Sequence, residues 1–485
     1  MTQSRRWREW QASLLHPTTL MFALFVVALA PRLYVALAWA GEPVWDGHYY
    51  DFGARRIAAG LGYSDDLVLG DGKMWHPWCH YPVGYSAYLA LFYKLLGPSR
   101  GVLAAVNATT SALLPLVTMG LARHAMSRRR AFIAGALVAV HPGLILYAAL
   151  TMTEPLAALL TTTAFWIAVA RRGLSGVVLG ALLLGLSALV RPQALLCVPF
   201  LVVALRPRGP HPSGAPLAAP EGGNLADAGR RTTALLRPWL LAAGLCLVSL
   251  LPVLPWTARN CRVMDACALV STNAGWNLAI GAFPRATGRF ETLRASDGCR
   301  EVTGQVQQDR CWFSFGLAEI RRAPLRWLSL VPRKLGFTFD HESFPVEYLR
   351  EGRPSAWPEA RRVAARDVLT MTHRMLLFGA ALGCAAVARR GARSQVVLLG
   401  VLCVGAALAW TSGEPSFWPL AVWTAVVPWL PIPGRPRFAP AMLLGAALLG
   451  TTILTHAVFF GEDRYHVVAS PILCLFAAAA LRRPS

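Results

Sequence analysis

Long apolar runs alternate with short polar breaks along nearly the whole chain, a pattern that predicts helices crossing a bilayer. Runs of spanning or near-spanning length fall near Thr18–Ala40, Gly101–Leu121, Ala131–Leu150, Pro155–Ala170, Leu174–Val190, Ala194–Leu205, Pro238–Pro255, Val368–Val387, Val396–Trp410, Trp418–Leu430, Ala439–Phe459 and Val467–Leu481. About twelve helices are therefore expected. The first run ends on Ala38-Trp39-Ala40, which resembles a small-residue cleavage site. It is too long for a signal-peptide core and reads as a retained helix. Two long segments interrupt the alternation, 41–100 and 256–366. The first holds an amphipathic run, Ser86–Leu96, suited to lie along a membrane surface. The second mixes polar and apolar residues and is expected to form a small, partly helical cap. The expected organisation is thus a membrane module over 1–255, a cap over 256–366 and a second membrane module over 367–485.

Composition agrees with the pattern. Of 485 residues, 55% are hydrophobic and 15% charged, and mean hydropathy is +0.44. Soluble domains carry about a quarter charged residues, so the fold class is an all-α polytopic membrane protein. The net charge of +22 does not call for a nucleic acid partner, because the basic residues cluster at the ends of apolar runs, as topology requires. One set of alternate loops holds Arg5, Arg6 and Arg8; Arg123 and Arg128 to Arg130; Arg171 and Arg172; Arg206, Arg208, Arg230 and Arg231; Arg389, Arg390 and Arg393; Arg435 and Arg437; and Arg482 and Arg483. These read as cytoplasmic, with both termini inside. The acidic residues gather on the other side: only Glu9, Glu221 and Asp227 fall in the cytoplasmic set. The inner loop 206–237 is rich in Pro, Gly and Ala and reads as a flexible linker.

Five cysteines, Cys79, Cys261, Cys267, Cys299 and Cys311, fall on the external side of this map, while Cys197, Cys246, Cys384, Cys403 and Cys474 lie in apolar runs. Four in one external loop point to disulfides in an oxidising compartment. Their pairing is not deducible from sequence. No CxxC or CxxH spacing favours zinc.

Candidate chemistry concentrates at the external helix ends. Trp45-Asp46-Gly47-His48-Tyr49-Tyr50-Asp51 follows the first apolar run. A carboxylate at a membrane edge is costly without a partner or a task. Asp46 is the candidate general base. Asp51 is either a substrate ligand or the N-cap of a helix over about 52–60. Glu154 opens the fourth run in Thr153-Glu154-Pro155. Arg259 and Asn260 lie where the seventh run exits, and Arg464 and Tyr465 precede the last. Tyr50, His80, Tyr81 and Lys334 complete the candidate binding set. Several have a plain structural alternative: loop solvation or capping of the next helix for Asp46, a dipole-favoured helix start for Glu154, snorkelling for Arg259 and Arg464, and an interfacial aromatic belt for Trp45, Trp75, Trp78 and Trp256.

At these residues the chain resembles the GT-C membrane glycosyltransferases. The nearest are the protein O-mannosyltransferase-like and lipid A aminoarabinose transferase-like enzymes of glycosyltransferase family 39. Asp46 with Tyr50, Ala54 and Gly60-Leu61-Gly62-Tyr63 resembles the family's first outer loop, although Gly47 stands where the family often has a second acid. His80-Tyr81-Pro82-Val83-Gly84-Tyr85 resembles its Pro-Pro-Gly segment. His141-Pro142, Thr153-Glu154-Pro155-Leu156, Leu189-Val190-Arg191-Pro192-Gln193, Pro255 to Asn260, Ser271 to Leu278, and Gly281 with Pro284 and Gly288 follow in order. The resemblance implies a GT-C-like bundle and inverting transfer of a sugar from a polyprenyl-phosphate donor to a lipid, glycan or protein hydroxyl. The site would lie on the external face of a membrane, expected to be the bacterial inner membrane. Asp46 would act as base and Glu154 would position the acceptor or tune Asp46. Arg259, Arg464 and Lys334 would stabilise the leaving phosphate. No obligatory cofactor is implied, a divalent cation being optional. The alternative is a transporter or lipid flippase, since membrane carboxylates and arginines also mark substrate pathways.

Overall fold

The computed structural model describes residues 17–64, 76–171, 173–205, 225–387, 416–430 and 438–481. The expected run Val396–Trp410, and Lys73, Trp75, Glu9, Glu221 and Cys403, lie outside these residues. So do Arg5, Arg6, Arg8, Arg172, Arg206, Arg208, Arg389, Arg390, Arg393, Arg435, Arg437, Arg482 and Arg483. Among the described residues the regular elements are helical, apart from two isolated β-bridges. In chain order they are α1 (Pro17–Ala38), α2 (Asp46–Ala58), α3 (Gly84–Leu96), α4 (Arg100–Ala122), α5 (Arg128–Val140), α6 (Pro142–Leu146), α7 (Glu154–Ala170) and α8 (Leu174–Ala188). A 3₁₀ helix over Pro192–Leu205 precedes α9 (Leu225–Leu250), α10 (Leu254–Val263), α11 (Ala274–Ala282), α12 (Gln305–Arg322), α13 (Pro324–Ser329), α14 (Val331–Phe339), α15 (Phe344–Gly352) and α16 (Glu359–Val387). Then come α17 (Trp418–Val426), α18 (Pro440–Val458), a 3₁₀ turn over Asp463–Ala469, and α19 (Ser470–Ala479).

The apolar runs become helices, but they cross less simply than twelve equal spans. Four described helices, α1, α4, α16 and α18, are long and apolar enough to cross a membrane. The number is six if each bent pair counts as one span: α5 with Pro142–Ala149, bent by 52°, and Pro238–Leu250 with α10, bent by 56°. These bends divide two of the expected runs, and the chemistry is local. Pro142 has no N–H to continue α5 and pushes His141 out of the helical region, to ψ 115°. The carbonyls freed there are claimed by Arg32 of α1, which is fully buried and donates to Val138 O (2.9 Å) and Ala139 O (2.7 Å) while also reaching Ser111 of α4 (2.9 Å). The shorter elements fail on length. At about 1.5 Å per residue α7 and α8 reach roughly 26 and 23 Å, against about 30 Å of hydrocarbon. The segment Pro192–Leu205 gains reach by winding as a 3₁₀ helix, which rises about 2.0 Å per residue.

The main core is built from small and branched apolar side chains of α4, α5, α7, α8, α18 and α19. The run Ser86–Leu96 is helical, as α3, and buries Leu89, Ala90 and Tyr93 with Ala54 of α2. A second, smaller core of Ala279, Ile280, Phe283, Trp312, Leu330 and Phe460 joins α11 and α12 to the stretch after α18. Two disulfides brace this part, Cys261–Cys267 and Cys299–Cys311, and Cys79 is a buried free thiol.

Candidate active site

The candidate site forms around the first residue of α2. Trp45 precedes it with φ 49° and ψ −130°, the one non-glycine residue with positive φ among those described. This unfavourable backbone turns the chain abruptly out of its loop, sets the Trp45 ring against Phe344 and Tyr348, and starts α2 at Asp46. Gly47 is required by close approach. A Cβ there would overlap the Tyr348 hydroxyl and crowd Thr151 O. Tyr348 therefore leaves no room for a side chain at position 47, and its hydroxyl accepts from the Val44 N–H (3.2 Å) in the α1–α2 connection.

The Asp46 carboxylate is partly buried, with its side chain 19% exposed. Tyr81 donates its hydroxyl to Oδ1 at 2.6 Å, and Arg464 donates Nη1 to Oδ2 at 2.6 Å. Burial pushes the carboxyl up. The Arg464 charge and the hydrogen bonds from Tyr81 and Arg464 outweigh it and leave Asp46 below the usual carboxylate range. Asp46 is thus ionised at neutral pH. Each oxygen retains a lone-pair direction beyond its single partner.

Arg464 sits on the strap between α18 and α19 and serves several groups. Besides Asp46 it reaches the Tyr465 hydroxyl (3.3 Å), and its Nε lies 2.8 Å from Glu462, outside hydrogen-bond geometry. Burial raises Glu462 above its ordinary range even with Arg464 beside it. Beneath this layer Glu154, the first residue of α7, is fully buried and paired with Arg191, whose Nε also donates to Thr153 (3.0 Å). The two arginines flank one ring: Arg464 lies 5.0 Å and Arg191 5.3 Å from the centroid of Tyr465, which also stacks on His456 at 4.1 Å. The field of Glu154 acts on Arg464 together with Glu462 and Asp46. One cluster therefore holds Asp46, Glu462, Glu154, Arg464 and Arg191.

Arg191 is the residue that reading the chain left out of the site, although it lies in one of the quoted motifs. Its signal was its place between a helix end and Pro192. The Gly84 N–H donates to Leu189 O (2.6 Å), so the Tyr81-containing turn docks on the end of α8 and brings Tyr81 and Arg191 to the same cluster. An aromatic wall lines the Tyr81 side. The Tyr81 ring packs on Tyr49, Tyr50, Trp78 and His80, with centroids 4.9 to 5.9 Å apart. Tyr50 is buried and His80 partly so. Burial pushes His80 down to about 4, so it is a neutral imidazole at physiological pH.

Other expected site residues are engaged elsewhere. Asp51 is not an N-cap, because α2 begins five residues earlier. It lies buried inside α2 and accepts from Tyr93 of α3 (2.5 Å) and from Arg55 (2.7 Å). Arg259 donates to Trp78 O (2.9 Å) and Tyr63 O (2.7 Å) and lies over the Trp256 ring, tying α10 to the first loop. Asn260 is buried, bonded to Ala268 O (3.0 Å) and accepting from Arg259 (3.0 Å). Lys334 is fully buried at the end of α18 and donates to Ala457 O (3.3 Å) and Val458 O (3.1 Å). It thus occupies a helix C-terminus, where a cation is favoured. Trp78 belongs to a small loop core with Tyr63 and Val83 rather than to an exposed belt.

No protein-family model and no curated protein sequence matches the chain. Among solved structures it is similar to the Archaeoglobus fulgidus oligosaccharyltransferase tethered with an acceptor peptide, at 13% identity and a TM-score of 0.45, covering 97% of this chain and 50% of that one. It is also similar to ArnT from Cupriavidus metallidurans bound to undecaprenyl phosphate, at 15% identity and a TM-score of 0.35, covering 95% and 77%. Both are membrane glycosyltransferases of the GT-C superfamily. The chain spans half the length of the oligosaccharyltransferase. At these scores the likeness carries no assignment, and the functional reading rests on the site.

Proposed function

We propose that the chain is an inverting glycosyltransferase that moves a sugar from a polyprenyl-phosphate donor to an acceptor hydroxyl at the external face of the membrane. The observation that carries this reading is the ionised Asp46 carboxylate held between the Tyr81 hydroxyl and the Arg464 guanidinium, with a second guanidinium, Arg191, across the Tyr465 ring. The acceptor oxygen attacks the anomeric carbon, the bond from that carbon to the phosphate oxygen breaks, and the acceptor proton passes to Asp46. The leaving group is a lipid phosphate, which needs cationic stabilisation more than a proton. Arg464 carries five N–H donors and has committed two of them by hydrogen bonding to Asp46 and Tyr465.

This arrangement couples donor and base. A phosphate drawn to Arg464 competes with Asp46 for the same charge. Weakening that pair raises the proton affinity of Asp46 at the moment a base is needed. Glu154 is the positioning residue for Arg191, and through it for the donor end of the site. The acceptor is a lipid, glycan or protein hydroxyl.

The test uses purified full-length protein, a polyprenyl-phosphate sugar and a pool of candidate acceptors, with mass spectrometry of the products. Polyprenyl phosphate should be released only when acceptor is present. Asp46→Asn should lower kcat by about 10²- to 10⁴-fold, the usual contribution of a positioned general base. Undiminished transfer by a folded Asp46→Asn protein overturns the assignment of the base. Proton-coupled uptake into proteoliposomes without transfer overturns the enzyme reading in favour of a transporter.

A further inference from the structure

A second polar cluster lies apart from the residues given roles above. Glu342 stands in the turn between α14 and α15, His373 in α16, and His466 in the 3₁₀ turn before α19. All three are buried, and one donor atom from each lies within 4.8 Å of the others. The two imidazoles stack with centroids 3.8 Å apart, and His466 Nε2 lies 3.6 Å from Glu342 Oε2.

The backbone fixes which nitrogens are free. His466 Nδ1 faces Thr338 O at 2.7 Å and His373 Nε2 faces Phe339 O at 3.0 Å. A carbonyl only accepts, so both of these nitrogens carry protons. His466 Nε2 and His373 Nδ1 are left as bare lone pairs, and both lack a hydrogen-bond partner among the described residues. Both oxygens of Glu342 also lack one. The carboxylate fills the place that a side chain at Gly143 would take, so that glycine admits it to the core. Nearby His141 has the opposite pattern. Its Nδ1 accepts from the Leu144 N–H (3.3 Å), so its proton is on Nε2 and it offers no lone pair.

We propose that Glu342, His373 and His466 form a buried divalent-cation site of the zinc type. Two histidines, each with its other ring nitrogen bonded to a carbonyl, and one carboxylate are a common zinc ligand set, and such outer bonds fix the tautomer and orient the ring. Unpartnered acceptors converging in a buried space are costly unless a cation or proton joins them. Tetrahedral coordination with bonds near 2.0 Å needs donors about 3.3 Å apart, so binding draws the three side chains inward and splays the stacked rings. The ion would tie the α14–α15 turn, α16 and the turn before α19 together. It lies two residues from Arg464, so its effect on the proposed transfer is to hold the strap that carries that arginine. The site itself does not depend on the transfer reading.

The experiment reads metal directly, without turnover. Full-length protein purified without chelator is analysed for bound metal, then stripped and titrated with Zn²⁺ or Co²⁺. The expected result is one equivalent of zinc per chain, d–d absorption of low-symmetry Co²⁺, and a lower melting temperature on stripping. Glu342→Gln and His373→Ala should each weaken binding by more than about tenfold, while His141→Gln should retain it. His466→Cys should add a thiolate-to-cobalt charge-transfer band, which a merely structural histidine would not produce. Wild-type protein that binds neither ion in stoichiometric amount overturns the proposal and leaves a proton shared by Glu342 and His466. Equal metal content in Glu342→Gln and His373→Ala overturns it as well.

Discussion

Asp46 is held by two donors of different kinds, and they are separable by mutation. The Tyr81 hydroxyl favours the carboxylate form, so Tyr81→Phe should raise the Asp46 pKa. The acid limb of kcat/KM against pH should then move to higher pH, with a loss at the optimum of about two- to twelvefold, the worth of one hydrogen bond. An unmoved acid limb in Tyr81→Phe shows that Asp46 is not the titrating base. Arg464→Gln removes the larger influence and should shift the limb further in the same direction while also weakening donor binding. Gly47 gives a second residue-scale prediction. Gly47→Ala should lower both activity and melting temperature, because its Cβ overlaps the Tyr348 hydroxyl. Adding Tyr348→Phe should recover part of the loss, and Thr151 O should keep recovery incomplete. Equal effects of Gly47→Ala with and without Tyr348→Phe would refute that contact.

At the scale of elements, Lys334 and α18 illustrate how a charge can serve a helix end instead of a substrate. Burial, with Arg326 nearby, pushes the Lys334 ammonium down to about 7. The unfolded chain therefore binds more protons than the folded one between about pH 7 and the ordinary lysine value near 10.4. Stability carried by this group should rise with pH across that window and be flat below it. Comparing melting temperatures of wild type and Lys334→Met from pH 6 to 10 checks this: the difference should change most above pH 7. A difference independent of pH refutes it. The chain's apolar periodicity gave away the helices, their rough limits and the place of Asp46, Glu154 and Arg464 at helix ends that meet in one cluster. It did not reveal the bends at His141-Pro142 and before α10, since a bend depends on what receives the freed carbonyls, and Arg32 is more than a hundred residues away from Ala139. The same limit explains Asp51, Arg259, Asn260 and Lys334. Each is a polar residue at an edge, and only its partner across the fold tells a brace from a ligand. Arg191 was missed for the converse reason: its partner Glu154 closes the pair from another helix.

For the whole molecule, orientation follows from which helix ends meet at the site. The helix α7 begins at Glu154, in the site, and ends at Ala170 beside Arg171. The helix α4 begins at Arg100, paired with Glu42 of the first long loop, and ends at Ala122 just before Arg123 and the run Arg128 to Arg130. The site and the arginine-rich connections therefore lie at opposite ends of both helices. Because arginine-rich connections stay in the cytoplasm, the site should face outside, along with the disulfide-braced part of 256–366. Two independent measurements test this in cells. Reporter fusions after Arg128 and at the C-terminus should report cytoplasm, and fusions near Asp297 should report the opposite side. Non-reducing peptide mapping of protein from intact membranes should give Cys261–Cys267 and Cys299–Cys311 linked, with Cys79 alkylated only after denaturation, because its thiol is buried. A cytoplasmic signal near Asp297, together with four reduced cysteines, would reverse the orientation. It would also remove the reason to expect a lipid-phosphate donor, since a site facing the cytoplasm meets soluble nucleotide sugars.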